Sequence, residues 1–129
     1  MGASPSSSST ALGQVALTVE DVARSVTFFR DKVGLRFLFS AGPTLAFFDL
    51  GGVRLMLSAP EGEFSPGSST VLYIKVQDIE ASYREMRSRG VQFVDEPHLI
   101  ASMPDHDLWM TFFRDPDGHT LALMCERAR

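Results

Sequence analysis

The chain has 129 residues, is 44% hydrophobic, and carries Lys+Arg 12 against Asp+Glu 16 for a net charge of -4 at pH 7. That size and apolar content suit one compact domain and exclude a second full one. The acidic balance leaves no basic field for a phosphate backbone, so nucleic acid is excluded as an expected partner.

Residues 1–11 begin MGASPSSSST, with five serines and one proline. Such a run cannot bury enough apolar surface to offset chain entropy, so a disordered Ser-rich tail is expected. It has neither the basic start nor the apolar stretch of a signal peptide, and no run in the chain nears the roughly 18 to 20 apolar residues of a membrane helix. One cysteine, Cys125, allows no internal disulfide. A lone thiol without metal-type spacing reads as a small hydrophobe, and the expected location is cytoplasmic, with no membrane partner.

The ordered domain is expected over 12–126, and it repeats itself. In module one, 12–58, the strand-like run QVALTVED (14–21) ends on Asp21, a helix-capping residue. Val22, Val26, Phe29 and Val33 then follow helical spacing up to Gly34. The β-like runs LRFLF, TLAFFDL and VRLMLS complete the module, with Asp49-Leu50-Gly51-Gly52 as the turn before the last. The Gly, Pro and Ser-rich stretch 59–69 is a linker. Module two, 70–126, restates the pattern: VLYIKVQD (71–78), a helix carrying Ile79, Tyr83 and Met86, a stop at Gly90, then VQFV, LWMTFF and HTLALMC, with Asp115-Pro116-Asp117-Gly118 before the last run. Each half reads β-α-β-β-β, an α+β architecture.

The start D-x-x-x-S-x-x-F-F-x-x-x-x-G, from Asp21 through Ser25, Phe28 and Phe29 to Gly34, and the end F-x-D-P-D-G-x-x-L, from Phe113 to Leu121, accompany this duplication. With them the chain resembles the vicinal oxygen chelate superfamily, which includes glyoxalase I, bleomycin-resistance proteins, extradiol dioxygenases and methylmalonyl-CoA epimerase. The resemblance implies two βαβββ modules whose mixed, largely antiparallel strands form a U-shaped sheet around a cavity, with helices outside. It also implies closure within one chain or across two, so a homodimer is expected.

The family's metal enzymes place four ligands in that cavity. Counted from Val19 and Val76 on the opening strands, and from Gly52 and Gly118 before the closing ones, the positions are Gln14, Val71, Met56 and Ala122. Val71 and Ala122 carry no donor, and a thioether does not select zinc, iron or magnesium. No metal and no cofactor are expected at the usual site. Gln14 is either a polar strand-start residue satisfied by backbone or water, or a vestigial ligand or substrate contact.

Strand alternation puts Gln14 with Ala16 and Thr18, Val71 with Tyr73 and Lys75, Met56 with Arg54 and Ser58, and Ala122 with Thr120 and Met124. From the middle strands Phe37, Phe39, Phe47, Trp109, Thr111 and Phe113 are candidates for the cavity wall. The opposite faces, from Val15, Leu17 and Val19 to Leu121 and Leu123, belong to the core. The expected ligand-binding residues are therefore Gln14, Arg54, Met56, Tyr73, Lys75, Trp109 and Ala122. Arg54, Lys75 and Tyr73 suit an anion or carbonyl, and Trp109 a flat ring. Equally, the aromatics and methionines are filling for a barrel-like interior.

Gln14 to Met56 spans 42 residues and Val71 to Ala122 spans 51, so module two has nine extra. They fall in 95–107, a loop holding His98 and His106 beside Asp95, Glu96, Asp105 and Asp107. Three readings stand: a solvated loop whose aspartates cap turns, a general acid or base at a carboxylate-flanked histidine (His106 with Asp105 or Asp107, with His98 as the other catalytic candidate), or a metal site rebuilt from His98, His106 and a carboxylate. His119 is expected to be exposed. The function expected is binding of a small organic molecule without the usual divalent metal. The alternative is a lyase, isomerase or dioxygenase with a non-standard metal or a histidine-based site.

Overall fold

A computed structural model describes residues 10–65 and 70–128; residues 1–9 of the tail expected over 1–11, and 66–69 of the linker expected over 59–69, lie outside the described residues. In module one, β1 (Gln14–Thr18) leads to helix α1 (Val22–Thr27), followed by β2 (Arg36–Ala41), β3 (Leu45–Leu50) and β4 (Val53–Ser58). Module two runs β5 (Leu72–Lys75), α2 (Ile79–Ser88), β6 (Gln92–Phe93), β7 (His98–Ser102), β8 (His106–Arg114) and β9 (Thr120–Ala128). Both modules therefore follow the expected β-α-β-β-β order, with β7 added in the second.

The helices begin where the two repeats place an aspartate. The Asp21 carboxylate accepts from the Arg24 amide at 3.1 Å and Asp78 from the Ala81 amide at 3.0 Å, satisfying donors that the first turn leaves unpaired. The single helix expected up to Gly34 is in fact two segments. α1 ends at Thr27, and Phe28–Val33 continues as a π-helix closed by the Gly34 amide on the Phe29 carbonyl at 3.0 Å. The wider turn keeps Phe28 and Phe29 both buried, which helical spacing alone did not foresee. In the β3–β4 turn Gly51 and Gly52 have φ of 64° and 97°, and two successive positive values are the geometry that a tight hairpin turn requires.

Each module forms one mixed sheet. The first has the order β1-β4-β3-β2 and the second β5-β9-β8-β6, with β7 also on β8. Within each, the opening strand lies parallel to the closing one, β1 on β4 and β5 on β9, because the helix carries the chain to the far edge of the sheet and antiparallel strands then lead it back. Alternation sends Val19, Leu55 and Leu57 of the first sheet and Leu121 and Leu123 of the second into one buried cluster with both helices. Phe28 joins the modules, its ring edge-on to Phe29 at 5.1 Å and 6.5 Å from Phe113. Full burial of each such ring contributes about 2–3 kcal/mol, so the two modules are held chiefly by this shared apolar seam.

Because the helix-covered faces share a core, each sheet keeps its other face turned outward. Four of the aromatic and polar candidates for the cavity wall are on the wrong side of that division. Thr111 and Phe113 are fully buried, and Phe37 and Trp109 pack against the core. Trp109 lies opposite Cys125 and Phe113 opposite Leu121, both core positions, so β8 presents Leu108, Met110 and Phe112 outward instead. On β2 a bulge between Phe37 and Phe39 breaks the alternation, leaving Phe37 against Phe48 and Phe39 outward beside Phe47 at 4.8 Å. The expected loop over 95–107 is largely a hairpin: its extra residues form β7 and the start of β8.

Candidate functional site

On the outward face of the first sheet, β1 and β4 run side by side, Ala16 opposite Met56 and Gln14 opposite Arg54. The Gln14 Nε2 lies 3.7 Å from the Met56 sulfur, a contact with a weak acceptor. Met56 also lines a cleft of about 780 Å³ with Thr18, Leu45, Ser58 and the linker carboxylates Glu61 and Glu63. Arg54 opens on a different cleft, of about 580 Å³, between the edges of the two sheets. Tyr73 and Lys75 of β5 line that same cleft over an apolar floor that includes Val15, Leu72 and Ile74. Three of the expected ligand contacts, Arg54, Tyr73 and Lys75, thus meet in one place, while Gln14 and Met56 meet in another.

Lys75 is not a free cation there. Its Nζ donates to Glu126 Oε1 at 2.9 Å, and this ammonium holds the Glu126 carboxyl below the usual glutamate range. Ala122 is fully buried, lying opposite Tyr73 on one side and Phe112 on the other, whose rings stand 6.2 Å apart. Trp109 sits beneath the Arg127 guanidinium, 4.5 Å from its ring centre, and Arg127 pairs with Glu80 of α2. That stack fastens α2 to β9.

Each histidine is anchored through Nδ1. His98 meets the Glu96 carbonyl oxygen at 2.8 Å and His106 meets Asp105 Oδ1 at 2.7 Å. The contact with His106 draws the Asp105 carboxyl below its ordinary value. The His106 Nε2 points toward Glu126 Oε2 at 3.9 Å, so Asp105, His106, Glu126 and Lys75 form a line of alternating charge when the imidazole is protonated. Asp95, another acid of that segment, is used structurally: its carboxylate accepts from the Thr111 hydroxyl and the Phe112 amide, satisfying the backbone where β6 gives way to β7.

His119 is buried rather than exposed. Asp115 accepts from its backbone amide at 2.7 Å and contacts its Nδ1 at 2.8 Å. Asp115, Asp117 and His119 bring three potential ligand atoms within 4.8 Å of one another. Their oxygens are already engaged, however, since Asp117 accepts from the Glu20 amide at 3.1 Å and pairs with Arg24. The group reads as a tie between the β8–β9 turn and α1. Glu126 and Asp117 were both missed in the sequence. Glu126 was reachable by continuing the Ala122, Met124 alternation by one step, whereas nothing local marked Asp117 as a partner for a helix in the other module.

The comparisons agree with this architecture. The model of the Glyoxalase/Bleomycin resistance protein/Dioxygenase superfamily matches residues 11–123, and the chain belongs to that superfamily. It is 27% identical over 126 residues to the protein YraH of Bacillus subtilis, covering 85% of this chain and 94% of YraH. It is also 27% identical over 117 residues to the metallothiol transferase FosB of Staphylococcus epidermidis, covering 87% and 81% of the two chains. Among solved structures, a superfamily member from Sphaerobacter thermophilus superposes with a TM-score of 0.75 at 20% identity, covering 91% of this chain and 98% of that one. TioX from Micromonospora superposes with a TM-score of 0.72 at 21% identity, covering 90% and 98%. At these identities the structural likenesses establish the fold alone.

Proposed function

We propose that this chain binds a small organic molecule on the outward faces of its sheets, in a cavity closed by a second copy, without the divalent ion used by metal enzymes of the superfamily. One observation carries the reading. The four positions at which the resemblance places metal ligands offer a single oxygen donor, the amide of Gln14. Met56 supplies a thioether, Val71 supplies nothing, and Ala122 is fully buried. A hard or borderline divalent ion needs several converging nitrogen or oxygen ligands, and this donor set does not fit one. The relative FosB is by name a metallothiol transferase, and that activity is not carried over to this chain.

What remains on the outward faces is polarizable and aromatic: Met56, Phe39 and Phe47 on one sheet, Tyr73, Met110 and Met124 on the other. Such surfaces with a few polar groups suit partly apolar organic ligands. A single chain has its two outward faces on either side of one core, which supports a homodimer as the unit that encloses the ligand. A cytoplasmic location belongs to the same reading and rests on the lone buried Cys125.

The second reading is a lyase, isomerase or dioxygenase with a histidine-based site. It is favoured by His106, whose Nδ1 is fixed by Asp105 while Nε2 faces Glu126. Elemental analysis after adding back zinc, nickel, manganese and iron(II), followed by thermal-shift screening against small organic compounds, separates the two. The expected outcome is no stoichiometric divalent metal together with ligands that raise Tm and whose effect is lost in Met56→Glu. A stoichiometric divalent ion that disappears in His106→Ala would overturn the first reading.

A further inference from the structure

We propose that the outward face of the second sheet holds a soft monovalent metal ion of the copper(I) class, bound by His98, Met110 and Met124. The three residues form one row across neighbouring strands. His98 of β7 lies opposite Met110 of β8, and Met110 lies opposite Met124 of β9. Directly opposed residues share a face with Cβ atoms about 4.5–5.5 Å apart, so two flexible thioethers and an imidazole are within reach of a single ion. The row's direction is fixed by its neighbours: Trp109, Thr111, Leu123 and Cys125 take the core side of the same strands.

The imidazole is prepared for a metal. Its Nδ1 lies 2.8 Å from the Glu96 carbonyl oxygen, an acceptor only, so Nδ1 is the protonated nitrogen and donates to it. In the neutral ring this leaves Nε2 with an unprotonated lone pair, and no partner for Nε2 is found among the described residues. A ring nitrogen pinned to a backbone carbonyl is the outer-shell arrangement that orients metal-binding histidines.

Chemistry then selects the ion. Uncharged thioethers are soft ligands that suit copper(I), imidazole is compatible with it, and the row contains no carboxylate or thiolate for zinc, calcium or magnesium. Lys75 stands next in the row, opposite Met124, but its ammonium is engaged by Glu126 at 2.9 Å and does not leave an uncompensated positive charge beside the site. Cys125, the other soft group, points into the core, where its thiol donates to the Gln77 carbonyl at 3.3 Å. This site shares Met110 and Met124 with the outward face read as the organic-ligand surface, and it is distinct from the four positions used by the superfamily's metal enzymes.

The test uses silver(I), a redox-inert analogue of copper(I), titrated into the full chain carrying Cys125→Ala, so that no thiol competes. Methyl carbon–proton NMR reads each methionine separately. Expected is saturation at one silver ion per chain, with the ε-methyl signals of Met110 and Met124 moving and those of Met56 and Met86 still. Zinc should move none of them. The paired change Met110→Leu and Met124→Leu keeps the apolar volume, so the fold and Tm without silver are retained. Silver affinity should nevertheless fall by at least the loss seen on removing an outer-shell partner, about tenfold or more. Unchanged silver affinity in that double variant, or silver shifts spread equally over Met56 and Met103, would overturn the proposal.

Discussion

Asp117 and Arg24 stand 93 residues apart in the chain and pair across the two modules, joining the β8–β9 turn to helix α1. The Asp117 side chain is 2% exposed and Arg24 44%, and Asp117 also accepts from the Glu20 amide. The two partners are therefore unequal. Asp117→Ala removes the acceptor of the Glu20 amide together with the near partner of Arg24, whose guanidinium keeps only Glu20 at 3.7 Å, and is expected to cost about 2 kcal/mol, whereas Arg24→Ala leaves Asp117 its amide partner and costs about 1 kcal/mol. Urea denaturation of both variants and of the double variant checks this, with the midpoint falling at constant m and the double variant costing less than the sum. Full additivity would show that the pair holds nothing together.

Ser25 is fully buried in α1, and its hydroxyl has no hydrogen-bond partner among the described residues. A buried hydroxyl without a partner is a desolvation cost with no return. Ser25→Ala is expected to leave the fold unchanged and to stabilise it by up to about 1 kcal/mol, seen as a rise in Tm. A loss of stability would mean that the hydroxyl is satisfied in solution.

The alternation of strands was readable wherever the strands are regular. Val19, Leu55, Leu57, Leu121 and Leu123 take the core side as period two requires, and the opposite faces expose Gln14, Arg54, Tyr73 and Lys75. The helix starts were readable because Asp21 and Asp78 supply a local hydrogen bond that spacing along the chain can reveal. What failed was phase. One extra residue at Leu38 inverts β2, and without its partner strand β8 had no anchor to tell Trp109 from Met110. The tie from Asp117 to α1, the Lys75–Glu126 pair and the buried place of His119 all depend on which distant elements meet, and no sequence period encodes that. The family resemblance located four ligand positions, yet their residues said only what chemistry is missing there.

The bulge on β2 makes a direct prediction about two phenylalanines separated by one residue. Phe37 packs on Phe48 at 5.4 Å, while Phe39 is 48% exposed. Phe37→Ala should cost about 3 kcal/mol through the cavity left behind, and Phe39→Ala less than about 1 kcal/mol. Chemical denaturation gives both values. If Phe39 belongs instead to the ligand wall proposed for the outward face, its alanine variant will lose ligand-induced Tm shifts while keeping its own stability.

Glu126 offers the clearest titration on the outward face. Lys75 is the main cause of its lowered pKa, through a hydrogen bond at 2.9 Å, with His106 adding a smaller effect. A carboxyl whose folded value is depressed contributes stability above its unfolded value, near the ordinary 4.3 or so, and loses that contribution as pH falls through the folded value. Carboxyl carbon NMR should therefore give Glu126 a midpoint below the ordinary glutamate value. Lys75→Met should move it upward, and the wild-type shift should shrink as salt screens the exposed pair. His106→Gln removes only the smaller contribution and should raise the midpoint less than Lys75→Met does. An equal or larger rise in His106→Gln would make the imidazole, rather than Lys75, the group that controls Glu126, and would strengthen the case for a histidine-based acid/base site.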